Sequence, residues 1–212
     1  EVARRVFERF EAVTWTPYVS DGDSVKRGQV ILRVEGSYRA LLQAERLALN
    51  FLQRMSGIAT MTARYAEALK GTVVRLLDTR KTAPGMRITD KMAVRHGGGH
   101  NHRMGLYDMI MLKDNHIKVA GGIPQAIEAA RRALPLSIKL EVETSNLAEV
   151  EEAVRYGADI IMLDNMDNDT MCEAVRLIAG RARTEASGNM TLERLRSVAE
   201  TGVDYISVGA LT

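Results

Sequence analysis

The side chains best suited to chemistry are five cations that follow apolar or glycine-rich runs in the middle of the sequence. They are Arg80, Lys81, His102, Arg103 and Lys113. A guanidinium matches a carboxylate with two parallel hydrogen bonds, and a Lys at the end of a buried strand is costly unless it meets an anion. The alternative is a set of solvated surface charges, with Lys113 extending to water. The position of these residues at the ends of apolar runs favours an anion site.

Positive charge is concentrated in the segment that holds these residues. Residues 75–118 contain nine Lys or Arg and four Asp, a local charge of +5, whereas the remaining twenty basic and twenty-three acidic residues give −3. The net charge of +2 is too small to indicate a nucleic-acid partner. The excess of positive charge is therefore confined to residues 75–118.

Three histidines within residues 96–102 raise the possibility of a metal site. No Glu or Cys ligand is nearby, the triple glycine at 97–99 fixes no spacing, and Arg95 and Arg103 would repel a dication. We expect instead that the glycine loop brings backbone N–H groups, with His102 and Arg103, up to an anion.

Carboxylates and glycines end the later apolar runs. If the runs are strands of one barrel, Glu143 and Asp164 would face the cations across one mouth. Gly188 and Gly209, beside a helix predicted at 191–200, indicate a phosphate cradle. The alternative is that Glu141 and Glu143 are rim residues of an alternating strand.

From residue 73 onward, short runs rich in Val, Ile and Leu alternate with stretches of helical period. This alternation is typical of repeated βα units around a parallel sheet. The predicted strands are 73–79, 108–114, 138–144, 159–165, 184–189 and 204–209. Six strands are fewer than a closed barrel needs, which leaves an open or incomplete barrel, a barrel completed by residues outside this sequence, or a doubly wound sheet. We expect the open or incomplete (βα) barrel, because each strand ends in a polar residue or glycine.

Residues 1–45 follow a different pattern. Turn residues at 21–28 precede the alternating Val30, Leu32 and Val34, which predicts a turn and a strand. A lipoyl-like carrier would need a modifiable Lys at a hairpin tip, and none is evident, so a structural role is favoured. Residues 46–69 predict a long helix, broken around Ser56 and Gly57.

The composition indicates the cellular environment that the protein suits. No apolar run approaches the roughly 18–20 residues that cross a bilayer, so no membrane is expected. The single Cys172 cannot form an internal disulfide, which indicates a reducing, cytoplasmic compartment. The chain opens at Glu1 inside an amphipathic pattern and stops at Thr212 directly after a strand, and we expect it to be part of a longer protein.

Several motifs together resemble the quinolinate phosphoribosyltransferase family. They are Thr-Arg-Lys at 79–81, His-Asn-His-Arg at 100–103, Leu-Lys-Asp-Asn-His at 112–116, and the flanking segments 44–50 and 209–211. The resemblance implies a truncated N-terminal α/β sandwich domain over 1–45 and a (βα) barrel catalytic domain over 46–212. It also implies phosphoribosyl transfer from phosphoribosyl pyrophosphate to quinolinate with Mg²⁺, giving nicotinate mononucleotide, pyrophosphate and CO₂ in de novo NAD synthesis.

The same resemblance assigns roles to individual residues. The carboxylates of quinolinate would be held by Arg46, Arg80, His102, Arg103 and Lys113. Arg46 would come from the neighbouring subunit of a dimer or larger oligomer, and Lys81 would lie near the phosphates of the sugar donor. Glu143 and Asp164 would face the ribose and its Mg²⁺ and, with Lys113, be catalytic. The 5′-phosphate would be bound by Ser187, Gly188, Asn189, Gly209, Ala210 and Leu211.

Two rival functions remain open at this point. A nicotinate-using phosphoribosyltransferase, or a related protein of molybdate-uptake operons, would share the framework, but five cationic positions exceed what one carboxylate requires. A non-catalytic anion-binding scaffold would keep the cations and need neither Glu143 nor Asp164.

Overall fold

Two β-sheets of unequal size organise the chain. The computed structural model describes residues 1–133, 135 and 137–212. Its strands are β1 Thr14–Pro17, β2 Leu32–Glu35, β3 Arg75–Leu77, β4 Ile110–Leu112, β5 Leu140–Thr144, β6 Ile160–Asp164, β7 Arg183–Ser187 and β8 Tyr205–Ser207. Its helices are α1 Val2–Glu8, α2 Tyr38–Ala68, α3 Arg87–His96, α4 Asp114–Ala120, α5 Ile123–Ala133, α6 Leu147–Arg155, α7 Asn168–Ile178 and α8 Leu195–Ala199, followed by a 3₁₀ turn at Gly209–Leu211.

The N-terminal part builds a small core of its own. Strands β1 and β2 form an antiparallel pair, and α1 lies against the first half of α2. Phe7 packs on Ala44 and Ala48, and its ring centroid is 6.2 Å from that of Trp15. The sequence pattern predicted a turn and a strand here, and the strand is β2.

Helix α2 runs without interruption through 31 residues, so the predicted break at Ser56 and Gly57 is wrong. A glycine inside a helix costs roughly 0.5–1 kcal/mol, which tertiary packing readily offsets. The packing partner is the end of α3, where Gly97 approaches α2 so closely that a Cβ there would lie 2.4 Å from the Ala59 carbonyl oxygen. The predicted boundary between residues 45 and 46 falls within this helix.

The larger sheet has the strand order of an opened barrel. Six parallel strands follow the order β3-β8-β7-β6-β5-β4. From β4 to β8 each strand lies beside its predecessor, and the first strand, β3, pairs with the last, β8, through Leu77 and Ser207. A doubly wound sheet would reverse its order partway. The expectation of an open (βα) barrel is confirmed, and among the described strands the opening lies between β3 and β4.

The predicted strands are present but shorter than the sequence pattern suggested. The range 108–114 ends early because Lys113 is the N-cap of α4. The helix predicted at 191–200 is reduced to α8, because the Arg194 amide bonds back to the Thr191 carbonyl in a turn. The loop at 187–189 therefore has no helix N-terminus directly beside it.

The sheet and its helices enclose the main hydrophobic core. Central strand residues such as Leu140, Ile161, Ala186 and Ile206 are fully buried. Helices α5, α6 and α7 each pack one apolar face against the strands. On α5, for example, Ile127 is buried in this way. None of the helices in the described part of the chain is both long enough and apolar enough to span a membrane.

Candidate active site

A cleft of about 610 Å³ opens at the carboxyl ends of the parallel strands. All but two of the predicted site residues line it: Arg80, Lys81, His102, Arg103, Lys113, Glu143, Asp164, Ser187, Gly188, Asn189, Gly209 and Ala210. Parallel strands end at one edge of their sheet, so residues far apart in sequence meet there. The structure thus brings the cations, the carboxylates and the glycine loops to one place.

Two predicted site residues lie elsewhere. Arg46 is exposed on α2 and does not line the cleft. Leu211 is only 2% exposed and packs in the hydrophobic core. Within one chain, neither side chain is positioned to contact a ligand in the cleft.

Arg87 ties together the two loops that carry the arginines of the cleft. Its guanidinium donates to the carbonyl oxygen of Arg80 at 2.8 Å and to that of Met104 at 2.7 Å. The guanidinium of Arg103 in turn donates to the Met109 carbonyl at 3.2 Å. No sequence motif pointed to Arg87, because it lies on a helix and outside the motif segments.

A buried ion pair holds the backbone of His102. Lys91 and Asp78 are both almost wholly buried and are bonded to each other. The His102 amide donates to Asp78 Oδ1 at 2.8 Å, and the His102 carbonyl accepts from Lys91 Nζ at 3.0 Å. Asn101 adds a bond to Asp78 Oδ2 at 2.6 Å. Burial lowers the pKa of Lys91, and the hydrogen bond with Asp78 opposes that change.

Two buried glutamates lie behind the His102 ring. His102 Nε2 is 3.2 Å from Oε2 of Glu141 and 3.2 Å from Oε2 of Glu185, and both carboxylates are almost fully buried. Both oxygens of Glu141 and Oε1 of Glu185 accept no hydrogen bond within the described part of the chain. On the other side of the ring, Nδ1 accepts the Arg103 amide at 2.8 Å. Both ring nitrogens therefore face protein groups.

The protonation of this cluster is set by opposing forces. Burial disfavours the charged form of His102, but the two carboxylates beside Nε2 outweigh it and raise its pKa to about 10. Burial also raises the pKa of Glu141 to about 7, with Glu185 adding to the rise and His102 opposing it. An imidazolium would carry a proton on Nδ1, where the Arg103 amide points. Charging His102 thus requires that this amide bond open, which opposes the rise in pKa.

The three side chains of the cluster also have the composition of a metal site, since their ligand atoms lie within 4.8 Å of one another. A metal bound at Nε2 requires a hydrogen on Nδ1. Nδ1 of His102 instead accepts a hydrogen from Arg103, which leaves the ring hydrogen on Nε2. With its hydrogen on Nε2, His102 is not arranged as a metal ligand.

The carboxylates of the cleft are themselves partnered. Lys113 Nζ donates to Glu143 Oε2 at 2.6 Å, with Lys113 44% exposed and Glu143 18% exposed. Asp164 Oδ2 accepts from the side chain of Asn165 at 2.8 Å. Each carboxylate thus lies at the end of its strand with one partner and a face toward the cleft.

The glycine loops line the same cleft as Arg103. Gly188 adopts a φ of +88°, which L side chains rarely adopt, and Gly209 follows β8 after one intervening residue, Val208. A Cβ at Gly209 would meet Lys81 Cδ at 3.7 Å, so the Lys81 side chain passes over this glycine. A phosphate bound near Gly209 would therefore lie close to the Lys81 side chain, whose ammonium group carries the compensating positive charge.

The strand order and the charged cleft together define the active site of a (βα)-barrel enzyme that handles anionic ligands. Family models for quinolinate phosphoribosyl transferase match nearly the whole chain, with the N-terminal domain over residues 1–56 and the C-terminal domain over residues 58–212. The chain belongs to the quinolinate phosphoribosyltransferase family.

Individual relatives agree with the family models. A probable nicotinate-nucleotide pyrophosphorylase (carboxylating) of Synechocystis is 46% identical over 99% of this chain and 72% of its own length. Quinolinate phosphoribosyltransferase (decarboxylating) 2a, mitochondrial, of Nicotiana tabacum is 49% identical over 94% of this chain and 61% of its own length. The crystal structure of NadC from Streptococcus pyogenes is 48% identical, with a TM-score of 0.95 over 100% of this chain and 75% of that one. The chain thus spans about three fifths to three quarters of the length of these relatives.

Proposed function

We propose that the protein to which this chain belongs transfers the phosphoribosyl group of phosphoribosyl pyrophosphate to quinolinate. The products are nicotinate mononucleotide, pyrophosphate and CO₂, in de novo NAD synthesis. The names of the relatives support this reaction. The observation that carries the proposal is the cleft itself, where Arg80, Arg103 and Lys113 converge with Glu143 and Asp164.

Quinolinate suits the cation side of the cleft because it carries two carboxylates. Burial lowers the pKa of Arg103, and the positive charge of Arg80 lowers it further, so two guanidinium groups lie close enough to repel each other. A dianion relieves that repulsion, and planar guanidinium groups match carboxylates with paired hydrogen bonds. Lys113 at the neighbouring strand end supplies a third cation.

Sugar transfer needs negative charge beside the ribose. When the pyridine nitrogen attacks the anomeric carbon and pyrophosphate departs, positive charge develops on the ribose, and carboxylates fixed nearby stabilise it. Asp164 and Glu143 line the cleft and are the carboxylates that we propose for this role. Lys113 holds Glu143 in place through its 2.6 Å hydrogen bond.

The donor set of Glu143 and Asp164 fits Mg²⁺. Magnesium in enzymes commonly binds one or two carboxylates together with substrate phosphates and water. Glu143 is the penultimate residue of β5 and Asp164 is the last residue of β6, and both line the cleft. In the register of these strands Glu143 lies opposite Met162, two residues before Asp164. When bound with the sugar donor, Mg²⁺ would neutralise the charge of the departing pyrophosphate.

Decarboxylation follows from the first bond formed. The ring nitrogen becomes cationic once it is bonded to the ribose, so it stabilises the electron pair left on the adjacent carbon when CO₂ departs. That carbon then takes a proton. The residues of the chain hold the remaining carboxylate and the phosphates in place while this occurs, and the loops at 187–189 and 209–210, with Lys81, are the groups proposed for the 5′-phosphate.

The site is completed by a second copy of the chain in this proposal. Arg46 lies exposed on α2 and does not line its own cleft, and in this proposal it serves the cleft of a partner. Mixing an Arg46→Ala protein with a Lys113→Ala protein, each inactive alone, tests the idea. Recovery of activity on mixing supports a shared site, whereas two proteins that stay inactive together contradict it.

Calorimetric titration with quinolinate and with nicotinate tests the proposed substrate. A lost charge-assisted contact costs about 1.5–3 kcal/mol, so quinolinate should bind at least about tenfold more tightly than nicotinate. Arg103→Ala should remove that preference. Equal or reversed affinities of the unmodified protein would contradict the proposal and favour a nicotinate-using enzyme.

We further propose a cytoplasmic location. A chain whose only cysteine is Cys172 forms no internal disulfide and is suited to a reducing compartment. The tobacco relative is named mitochondrial, so location differs among the relatives. Fractionation of the source cells, followed by immunodetection, distinguishes these compartments.

A further inference from the structure

Two asparagines at neighbouring strand ends have unusual backbone conformations. Asn165 follows β6 with a φ of +55°, and Asn189 lies just beyond β7 with a φ of +49°. Among the described residues that are not glycine, only Ala179, at the end of α7, shares a positive φ. Such conformations persist where the surroundings enforce them, and they cluster at functional sites.

The asparagine side chains form a bridge across the cleft edge. The amide of Asn165 donates to Asp164 Oδ2 at 2.8 Å, and its carbonyl accepts from Asn189 Nδ2 at 3.0 Å. The backbone amide of Asn165 also donates to the Ser187 carbonyl at 3.0 Å. One side chain thus connects the carboxylate of β6 to the loop that follows β7.

The position of Gly188 shows how closely this bridge is packed. A Cβ at Gly188 would lie 2.2 Å from Asn165 Oδ1 and 2.9 Å from the Asn165 backbone nitrogen. A side chain at position 188 would therefore displace the carbonyl that accepts from Asn189. In this arrangement, position 188 therefore requires a glycine beside Asn165.

We propose that Asn165 is a positioning residue that fixes the Asp164 carboxylate relative to the loop at 187–189. This inference rests on the proposed function, in which Asp164 faces the ribose and the loop binds its 5′-phosphate. A carboxylate that rotates freely about its side-chain bonds can turn away from a developing charge. A carboxylate that accepts a hydrogen bond from a fixed amide is held in place. With the phosphate anchored on the same bridge, the anomeric carbon is presented to Asp164 at a fixed distance.

The chain offers substitutions that separate backbone from side chain. Asn165→Gly keeps a residue that tolerates a φ of +55° and removes the side chain. Asn165→Asp keeps an acceptor for Asn189 but cannot donate to Asp164 when ionised. Both proteins should retain the quinolinate affinity of the unmodified protein, because the cation side is not altered, and Asn165→Gly should stay folded, because Asn165 is exposed and lies outside the core.

The expected result is a loss in kcat. Partners that orient a catalytic group typically contribute about 10–100-fold to activity, so Asn165→Gly should lower kcat by about that factor. Asn165→Asp should lose at least as much, since it lacks the bond to Asp164 and adds a negative charge beside that carboxylate. Wild-type kcat in either variant would overturn the inference, and a rise in KM for phosphoribosyl pyrophosphate with unchanged kcat would instead make Asn165 a direct substrate contact.

A double-mutant comparison shows whether Asn165 acts through Asp164. If it does, adding Asn165→Gly to Asp164→Ala should change the residual rate by less than about threefold. Fully additive losses would overturn the inference. Quinolinate binding is measured in parallel on the unmodified protein, so failure of the proposed substrate is recognised separately from failure of this bridge.

Discussion

Lys91 and Asp78 form an ion pair beneath the cleft that holds the backbone of His102 from both sides. Asp78 accepts the His102 amide and Lys91 donates to the His102 carbonyl, while each partner is at most 1% exposed. The side chains of His102 and Arg103 enter the cleft from this clamped segment. The pair therefore links the stability of the fold to the geometry of the proposed substrate site.

Breaking that pair should destabilise the protein strongly. Lys91→Met leaves Asp78 charged and buried, and removing one partner of a buried pair typically costs about 3–5 kcal/mol. Urea unfolding measures the change. Lys70→Met is the matched control, since Lys70 pairs with Glu67 on the surface at 75% exposure and should change stability by less than about 0.5 kcal/mol. Equal effects of the two substitutions would contradict the assigned role of the clamp.

Lys113 should matter for binding and little for folding. Its side chain is 44% exposed, so Lys113→Met should alter the free energy of unfolding by no more than about 1 kcal/mol. Losing one charge-assisted contact should weaken quinolinate binding by about tenfold or more in calorimetry. Lys118→Met, which removes an exposed lysine paired with Asp114, provides the control. Unchanged quinolinate affinity in the Lys113 variant would show that this cation is not part of the ligand site.

The charge of His102 predicts a pH dependence of stability. Its pKa is raised from 6.5 to about 10 in the folded protein, so the folded state holds a proton that the unfolded state releases near pH 6.5. The stabilisation is fully present below pH 6.5 and is lost as pH rises through about 10. The groups that face the ring are Glu141, Glu185 and the Arg103 amide.

The comparison of unmodified protein with His102→Asn isolates this effect. The stability advantage of the unmodified protein should shrink by as much as a few kcal/mol between pH 6.5 and pH 10. A histidine proton resonance that titrates well above pH 6.5 would report the same ionisation by NMR. A constant difference in stability over that range would show that the ring stays neutral and would contradict this prediction.

The site residues at strand ends were predictable, because a parallel sheet brings the carboxyl ends of all its strands to one edge. Once the runs before Lys113, Glu143 and Asp164 are assigned as parallel strands, their ends must share one edge. Charged residues directly after apolar runs were a sufficient signal. The family motifs gave the same residues independently.

The supporting residues were not predictable in the same way. Glu141 and Glu185 lie 44 positions apart and meet only because β5 and β7 both lie beside β6. The alternation of Glu141 with Glu143 places both on one face of β5, which was an available signal. The burial of Glu141 depends on packing between distant segments, which a local sequence pattern does not reveal.

Local propensity also misled at Gly57, where the sequence favoured a break in α2. The structure shows that the close approach of Gly97 to α2 is what the packing requires, and that Gly57 has open space around it. The helix continues through Gly57 because Ala59, two residues further along and on the opposite face of α2, packs against Gly97. A single-sequence pattern contains no information on that partner.

Two glycine substitutions should therefore have opposite effects. Gly97 has an ordinary φ of −82°, so Gly97→Ala strains only the packing, where its Cβ would lie 2.4 Å from the Ala59 carbonyl oxygen. Such an overlap with backbone should destabilise the protein by about 2–3 kcal/mol. Gly57→Ala adds a methyl group within a helix with nothing inside 4 Å and should stabilise by about 0.5–1 kcal/mol. Denaturant unfolding of both variants is the measurement, and a neutral Gly97→Ala would mean that α2 and the end of α3 are not in contact as described.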